Sequence, residues 1–387
     1  MLPSIYNPSE TFTLGILGGG QLAKMIAQEA YKMGLRVAVI ENGADSPAGV
    51  MTKLEFTDGW ENEADLLAFI KASDMITLEN EFIDPSILRR IGESRFVFPT
   101  AETMELVQDK FTQKTTFQHA GVPVPRFMEI QTKADLAKAA EEFGYPFMIK
   151  TRKYGYDGYG NYTVKRETEF DLVWRKFKEG ETQRDLMAEE FVSFTKELAV
   201  MVARNKRGEI QVYPCVQTIQ QGHICVTVIA PAQIPVEQQE RAQQIAVQCV
   251  EAISGVGVFG VEMFLRDDGE IVFNEIAPRP HNSGHYTIEA CYTSQFENCI
   301  RAVTNMPLGS AAMRVPAACM INLLGERTGS GIPDSVVEML KVHDVSLHLY
   351  GKKDVRVGRK MGHLTATANT VDEAFQKANA ALEKFVW

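Results

Sequence analysis

Gly260-Val261-Glu262-Met263-Phe264-Leu265-Arg266, then Asp267-Asp268-Gly269-Glu270, then Ile271-Val272-Phe273-Asn274-Glu275-Ile276 reads as two apolar strands joined by an acidic turn. Asp-Gly is a favoured centre for a two-residue hairpin loop. With Asp268 and Gly269 as that centre, 267 faces 270, Glu262 faces Glu275 and Phe264 faces Phe273. Carboxylates directly opposed on one face of a sheet repel unless a cation lies between them. Oxygen ligands without His or Cys suit Mg²⁺, with substrate phosphates completing its shell. Strict alternation turns Asn274 to the other face, so its participation requires a bulge or another register. The competing reading is an ordinary charged hairpin whose acidic face is solvated.

Immediately downstream lies Arg279-Pro280-His281-Asn282-Ser283-Gly284-His285, a polar, proline-restrained run of donors and acceptors suited either to a substrate or to a surface loop. His281 and His285 lack the third partner a zinc site needs, so they count as hydrogen-bonding groups. Upstream, Lys150 closes the apolar strand Phe147-Met148-Ile149, where its ammonium must reach water or an anion. Gly155-Tyr156-Asp157-Gly158-Tyr159-Gly160-Asn161 follows, and its glycines let backbone approach phosphate oxygens closely. At the end of another strand, Glu189-Glu190-Phe191-Val192 offers backbone groups to an adenine edge, and Glu197 a carboxylate to ribose hydroxyls; a solvated edge strand fits these residues equally well.

Strand 14–17, the Gly18-Gly19-Gly20 turn, a helix ending near Gly34, strand 36–41 and strand 75–78 alternate, which predicts a parallel sheet. Gly18-x-Gly20-x-x-Ala23 with Glu41 satisfies the dinucleotide fingerprint and keeps a nicotinamide enzyme in view. A helix N-terminus binds any phosphate, however, so Gln21 and Leu22 equally suit a phosphosugar, and the turn is also readable as purely structural. A connecting helix over 102–120 leads to the extended linker Val122-Pro123-Val124-Pro125. Strands are expected at 146–150, 187–191, 197–203, 210–216 and 223–229, with an amphipathic helix over 235–252 and another over 371–385. Near the end, Tyr350-Gly351-Lys352-Lys353 and Arg356 to His363 gather basic residues, either solvated or built for a phosphomonoester.

With 387 residues the chain is expected to form two or three domains. A net charge of -10 argues against a polyanionic partner such as nucleic acid. No apolar run approaches the ~20 residues that cross a bilayer, and residues 1–13 lack the pattern of a signal or transit peptide, so a cytoplasmic location is expected. The six cysteines are scattered without CxxC spacing, which fits reduced thiols.

Taken in order, LGGGQL at 17–22, ENE at 79–81, GYDGYGN at 155–161, EEFV at 189–192, NEIAPRPHNSGH at 274–285 and GRKMGH at 358–363 resemble the ATP-grasp superfamily, and closely its N5-carboxyaminoimidazole ribonucleotide synthetases. The resemblance covers nearly the whole chain. It implies an α/β and α+β fold in three units: a Rossmann-like parallel sheet over 1–107, a lid over 108–190, and an antiparallel-sheet domain over 191–387. It further implies ATP, two Mg²⁺ ions, 5-aminoimidazole ribonucleotide and bicarbonate as substrates, a carboxyphosphate intermediate, a place in purine biosynthesis, and a homodimer. Lys110, Lys150, the 155–161 loop, Glu189, Glu190, Phe191, Val192, Glu197, His223, Asn274 and Glu275 would hold the nucleotide, and Glu262 and Glu275 the metal. Gln21, Leu22, Glu81, Asn282, Ser283, His285, Lys352, Arg359 and Lys360 would frame the ribonucleotide. Tyr156, Asp157, Lys150, Arg279 and Lys352 would serve the chemistry. Ala277 stands where many ATP-grasp enzymes carry an Asn, which leaves the ligand set of a second metal open. Sibling ligases, notably the formate-using glycinamide ribonucleotide enzyme, share the same nucleotide apparatus.

Overall fold

The computed structural model describes residues 6–7, 10–155, 160–179 and 183–387. Among these residues, a five-stranded sheet runs in the order Leu54–Phe56, Arg36–Ile40, Thr13–Leu17, Met75–Leu78, Phe96–Phe98, with every pairing parallel. These strands are short apolar runs because helices cover both faces and neither face meets water. The helix Gln21–Lys32 buries Leu22, Met25, Ile26 and Ala30, and Gly34 leaves it at φ +76. Strand ends Leu17, Ile40 and Leu78 therefore open toward Gly18–Gly20, Glu41 and Glu79–Glu81 on one rim, where ligands of open α/β sheets bind.

A four-stranded antiparallel sheet follows, ordered Asn161–Val164, Phe147–Thr151, Leu186–Glu190, Phe127–Ile130, with a core of its own around Phe147, Ile149, Phe170 and Leu186. The rest of the chain builds a nine-stranded antiparallel sheet from Lys196–Arg204 to Lys360–Ala368, with the acidic hairpin at one edge. Helix Val236–Ala252 covers one part of this sheet and Val371–Leu382 another. Leu14 and Ile26 of the first unit share a core with Met201 and Phe296 of the last. Each such fully buried large side chain contributes ~1.5–3 kcal/mol. Lys24 also reaches across, its Nζ donating to the carbonyls of Leu349 (2.9 Å) and Tyr350 (3.2 Å).

The connecting helix expected over 102–120 is two helices, Ala101–Gln108 and Lys110–His119. Asp109 breaks it: its carboxylate caps the second helix by accepting the amides of Phe111 (3.0 Å) and Thr112 (3.1 Å), and it pairs with Arg152. The strand expected over 210–216 divides into Ile210–Val212 and Val216–Gln221 around Pro214, which has no N–H for a ladder.

Candidate active site

The acidic hairpin pairs Gly257–Leu265 with Ile271–Ala277, and its loop is one residue longer than the Asp-Gly reading predicts. Arg266 N donates to Glu270 O at 2.9 Å, leaving 267–269 as a three-residue loop with Gly269 at φ +86. That extra residue shifts the register, so Met263 faces Phe273 and Phe264 faces Val272. A bulge at Asn274 shifts it back, and Glu262 faces Glu275 as expected. The expected Phe264–Phe273 wall is thereby replaced. Phe273 is buried against Phe117 at 4.7 Å between centroids, whereas Phe264 stacks on Phe194 at 4.5 Å.

Glu275 pairs with Lys110, the first residue of its helix, whose amide donates to Arg152 O at 2.8 Å. Burial, then the nearby charges of Glu275 and Glu197, push the Glu262 carboxyl up to about 8. Among the described residues its ion-pair neighbour is His281, 3.7 Å away. Burial, reinforced by Arg279 and Lys360, pushes that imidazole down to about 3, so it is neutral and brings no countercharge. A carboxyl kept protonated beside a second carboxylate, with Lys360 and Lys110 only partly offsetting burial and repulsion, fits a divalent cation in place of the proton. Among the described residues no group of three or more His, Cys, Asp and Glu could hold a metal unaided. The arrangement therefore suits an ion such as Mg²⁺ that takes one or two carboxylates and completes its shell with phosphates and water.

Lys150 lies on the strand Phe147–Thr151, its Nζ 3.2 Å from Glu189 Oε1. The other Glu189 oxygen lies 3.1 Å from Lys114 Nζ. Burial opposes ionisation of Glu189, but the two lysines outweigh it and hold the carboxyl below its ordinary range. The Glu189 side chain, expected at the nucleotide, is 2% exposed and in the structure pairs with both lysines. Glu190 bonds Arg126 at 2.8 Å, Phe191 is exposed and Val192 is buried. Glu197 looks toward Glu262, since Glu197 and Ala199 share a face and Ala199 stands opposite Glu262. His223, expected to open a strand over 223–229, occupies an exposed hairpin turn at φ +67, one residue before the observed strand Ile224–Ala230 begins. Asn161 pairs with Lys150, and a Cβ on Gly160 would meet Thr151 Oγ1 at 2.3 Å. Tyr156, Asp157, Gly158 and Tyr159 lie outside the described residues.

On the parallel sheet's rim, Gly19 N donates to Glu41 Oε2 at 2.9 Å and Gly20 N to Glu79 Oε1 at 3.0 Å. Two carboxylates thus occupy the amides that would cradle a dinucleotide pyrophosphate, and Glu41 faces the turn rather than a ribose, which removes the structural basis of the nicotinamide reading. Gln21 opens the helix at this rim and Leu22 is buried beneath it. Across the cleft, burial and then Arg359 push Lys352 down to about 8, against the pull of Glu79. Arg279 pairs with Glu81, joining the large sheet to the first unit. Arg359 donates to Asp354 O at 2.7 Å, and Lys360 opens its strand beside Lys352, which donates to the Lys360 carbonyl at 2.7 Å.

Ser283 and His285, expected at the ribonucleotide, are each 1% exposed. Ser283 Oγ holds His281 Nδ1 at 2.9 Å, while His285 lies against Gln295 and His363 inside the core. Asn282 donates to Asn322 Oδ1 at 2.9 Å and accepts from Asn322 Nδ2 at 2.6 Å, which fixes its amide and leaves one N–H for a further partner. These residues brace the wall from behind, because a polar, proline-bearing sequence signals hydrogen bonding without saying whether its partner is protein or ligand. The sequence reading missed Lys114, although Lys110 and Lys114 at i, i+4 share a helix face. It also left Glu79 out of the site, although this carboxylate stands at the C-terminal end of a parallel strand. Glu81, Gln108, Lys110, Lys153, Gly155, Glu275 and Pro278 together line a pocket between the parallel sheet, the four-stranded sheet and the nine-stranded sheet.

A family model of the ATP-grasp domain matches residues 115–296, one of the ribonucleotide synthetase preATP-grasp domain residues 11–108, and one of the phosphoribosylaminoimidazole carboxylase C-terminal domain residues 318–377. Fold and site define an ATP-grasp ligase that binds ATP. The N5-carboxyaminoimidazole ribonucleotide synthase of Bacillus subtilis is 37% identical over 364 residues, covering 94% of this chain and 93% of that protein. The crystal structure of N5-carboxyaminoimidazole ribonucleotide synthetase from Thermotoga maritima superposes with a TM-score of 0.86 at 42% identity, covering 97% and 99% of the two chains. That of the Aspergillus clavatus synthase in complex with ADP and 5-aminoimidazole ribonucleotide gives 0.87 at 34%, covering 96% and 98%. The chain belongs to the N5-carboxyaminoimidazole ribonucleotide synthase family.

Proposed function

We propose that this chain uses MgATP and bicarbonate to carboxylate 5-aminoimidazole ribonucleotide to N5-carboxyaminoimidazole ribonucleotide, releasing ADP and phosphate, in purine biosynthesis. The observation that carries this reading is the opposition of Glu262 and Glu275 beside Lys110 and Lys150, with a basic rim facing the Gly-rich turn across one cleft. Mg²⁺ held by Glu262 and Glu275 would supply positive charge to the phosphate oxygens. Lys110 and Lys150 neutralise the transferring phosphoryl group, a mainly electrostatic task. Bicarbonate oxygen attacks the γ-phosphorus to give carboxyphosphate and ADP, and carboxyphosphate or the CO₂ it releases then meets the exocyclic amine. Gln21, Glu81, Lys352, Arg359 and Lys360 hold the ribonucleotide, its phosphate toward the basic rim, and Arg279 steadies Glu81 from the nucleotide side. Exclusion of water by the unit over 108–190 protects the hydrolysable intermediate. Units of 1–107, 108–190 and 191–387, a second Mg²⁺, a homodimer and a cytoplasmic location belong to the same proposal; no helix among the described residues is long and apolar enough to cross a membrane.

The test is phosphate release from MgATP with each substrate present or omitted. Full turnover is expected only with bicarbonate and the aminoimidazole ribonucleotide together. Faster turnover with glycinamide ribonucleotide and formate would assign the chain to the sibling ligases instead.

A further inference from the structure

Lys114 has no part in the chemistry above, yet it is the most deeply placed cation of the site. It lies one helical turn beyond Lys110 on Lys110–His119 and is 1% exposed. Its Nζ is 3.1 Å from Glu189 Oε2, 3.3 Å from the carbonyl oxygen of Asn274 and 5.2 Å from the centre of the Phe273 ring. The contact with Glu189 is an ion pair between two buried side chains. Glu189 consequently has two cations for one negative charge, and of these Lys150 is the one with a side chain partly open to the cleft, at 11% exposure against 1%.

A nucleotide phosphate arriving at the cleft competes with Glu189 for Lys150. Were Lys150 the sole counterion, its departure would strand a buried carboxylate, which is strongly unfavourable. We propose that Lys114 is a positioning residue, the standing counterion of Glu189, whose presence frees Lys150 to turn from Glu189 to the nucleotide phosphates; this rests on the nucleotide site proposed above. The same ammonium holds the carbonyl of the bulge residue Asn274, tying the lid strand to the hairpin that opposes Glu262 and Glu275.

The experiment compares wild type, Lys114→Met, Glu189→Gln and the double variant for MgATP affinity by calorimetry and for KM and kcat. Lys114→Met should raise the dissociation constant and KM for MgATP by about tenfold to a hundredfold, with kcat changed far less, because Lys150 is then retained by Glu189. Adding Glu189→Gln should recover most of that loss, since an amide needs no counterion. An unchanged KM in Lys114→Met, or losses that simply add in the double variant, overturns the proposal. Should Lys114→Met fail to fold, the double variant is compared with Glu189→Gln. Equal MgATP affinity supports the role, and a further tenfold weakening refutes it. Absence of MgATP binding by the wild type would instead sink the nucleotide site itself, an outcome distinct from a wrong pattern among variants of a binding protein.

Discussion

The raised pKa of Glu262 makes the metal-free protein sensitive to pH in a direction that one substitution can isolate. In the fold this carboxyl is pushed from its ordinary 4.5 up to about 8, by burial and then by Glu275 and Glu197. Between those limits the native state holds one proton more than the unfolded chain. Its stabilising effect is therefore complete below pH 4.5 and is lost as pH rises through 8. At ~1.4 kcal/mol per pH unit, the passage from pH 5.5 to pH 8 removes about 3 kcal/mol, an upper figure because the side chain is 27% exposed and water screens it. Glu262→Gln cannot lose that proton, so relative to wild type it should gain stability by about 2–3 kcal/mol over this interval. Urea unfolding in EDTA at both pH values measures the difference, with all other titrating groups common to the two proteins. The wild-type sensitivity should shrink when Mg²⁺ and ATP are present, because a cation then does what the proton did. Parallel pH profiles for wild type and variant in EDTA would refute both the buried charge pair and the metal site built on it.

Glu275→Gln should lower turnover at least about a hundredfold at limiting Mg²⁺ while leaving the circular dichroism spectrum unchanged; a wild-type rate would exclude Glu275 as a ligand. Gly20→Ala places a Cβ 2.7 Å from Glu79 Oε1 and must displace that carboxylate. KM for the ribonucleotide should rise about tenfold or more with KM for MgATP little changed, and equal effects on both would show that the rim serves the nucleotide instead. Arg359→Ala should weaken use of the ribonucleotide by ~10–150-fold and narrow the preference for nucleotide over nucleoside, whereas equal use of both by wild type would remove the phosphate from the basic rim.

Much of the fold was legible because periodicity and punctuation reported it directly. The alternation ending at Glu79 gave the parallel sheet, and Val122-Pro123-Val124-Pro125 marked the passage to the second unit. What was not legible turned on single residues whose tertiary partners lie far off in the chain. Asp109 interrupts a helical pattern because Arg152 waits for its carboxylate. The hairpin shows how such errors can cancel: the loop was read one residue short, and the bulge that restores the register exists where Lys114 meets the Asn274 carbonyl. Residue type likewise marks Glu189, Ser283 and His285 as polar but not as buried against protein partners.

The charge pairs that cross from one sheet to another suggest how the site answers its ligands. Lys110 with Glu275, Lys114 with Glu189 and Arg279 with Glu81 each join segments remote in sequence around the cleft. Pairs of this kind add little net stability when intact; leaving one partner alone costs ~3–5 kcal/mol where both are buried, as Lys114 and Glu189 are, and less at Lys110 and Glu275, where the Glu275 side chain is 42% exposed and water screens its charge. A cation that drew Glu275 away would strand Lys110, and a phosphate that drew Lys110 away would strand Glu275 next to Glu262. Neither group is stranded when both ligands arrive together, so metal and nucleotide must strengthen each other's binding by part of that cost, and by linkage they do so reciprocally. Glu275→Gln should abolish this reinforcement, leaving ATP affinity independent of Mg²⁺ at this position. If ATP bound that variant with the full wild-type dependence on Mg²⁺, the coupling would have to reside in other groups.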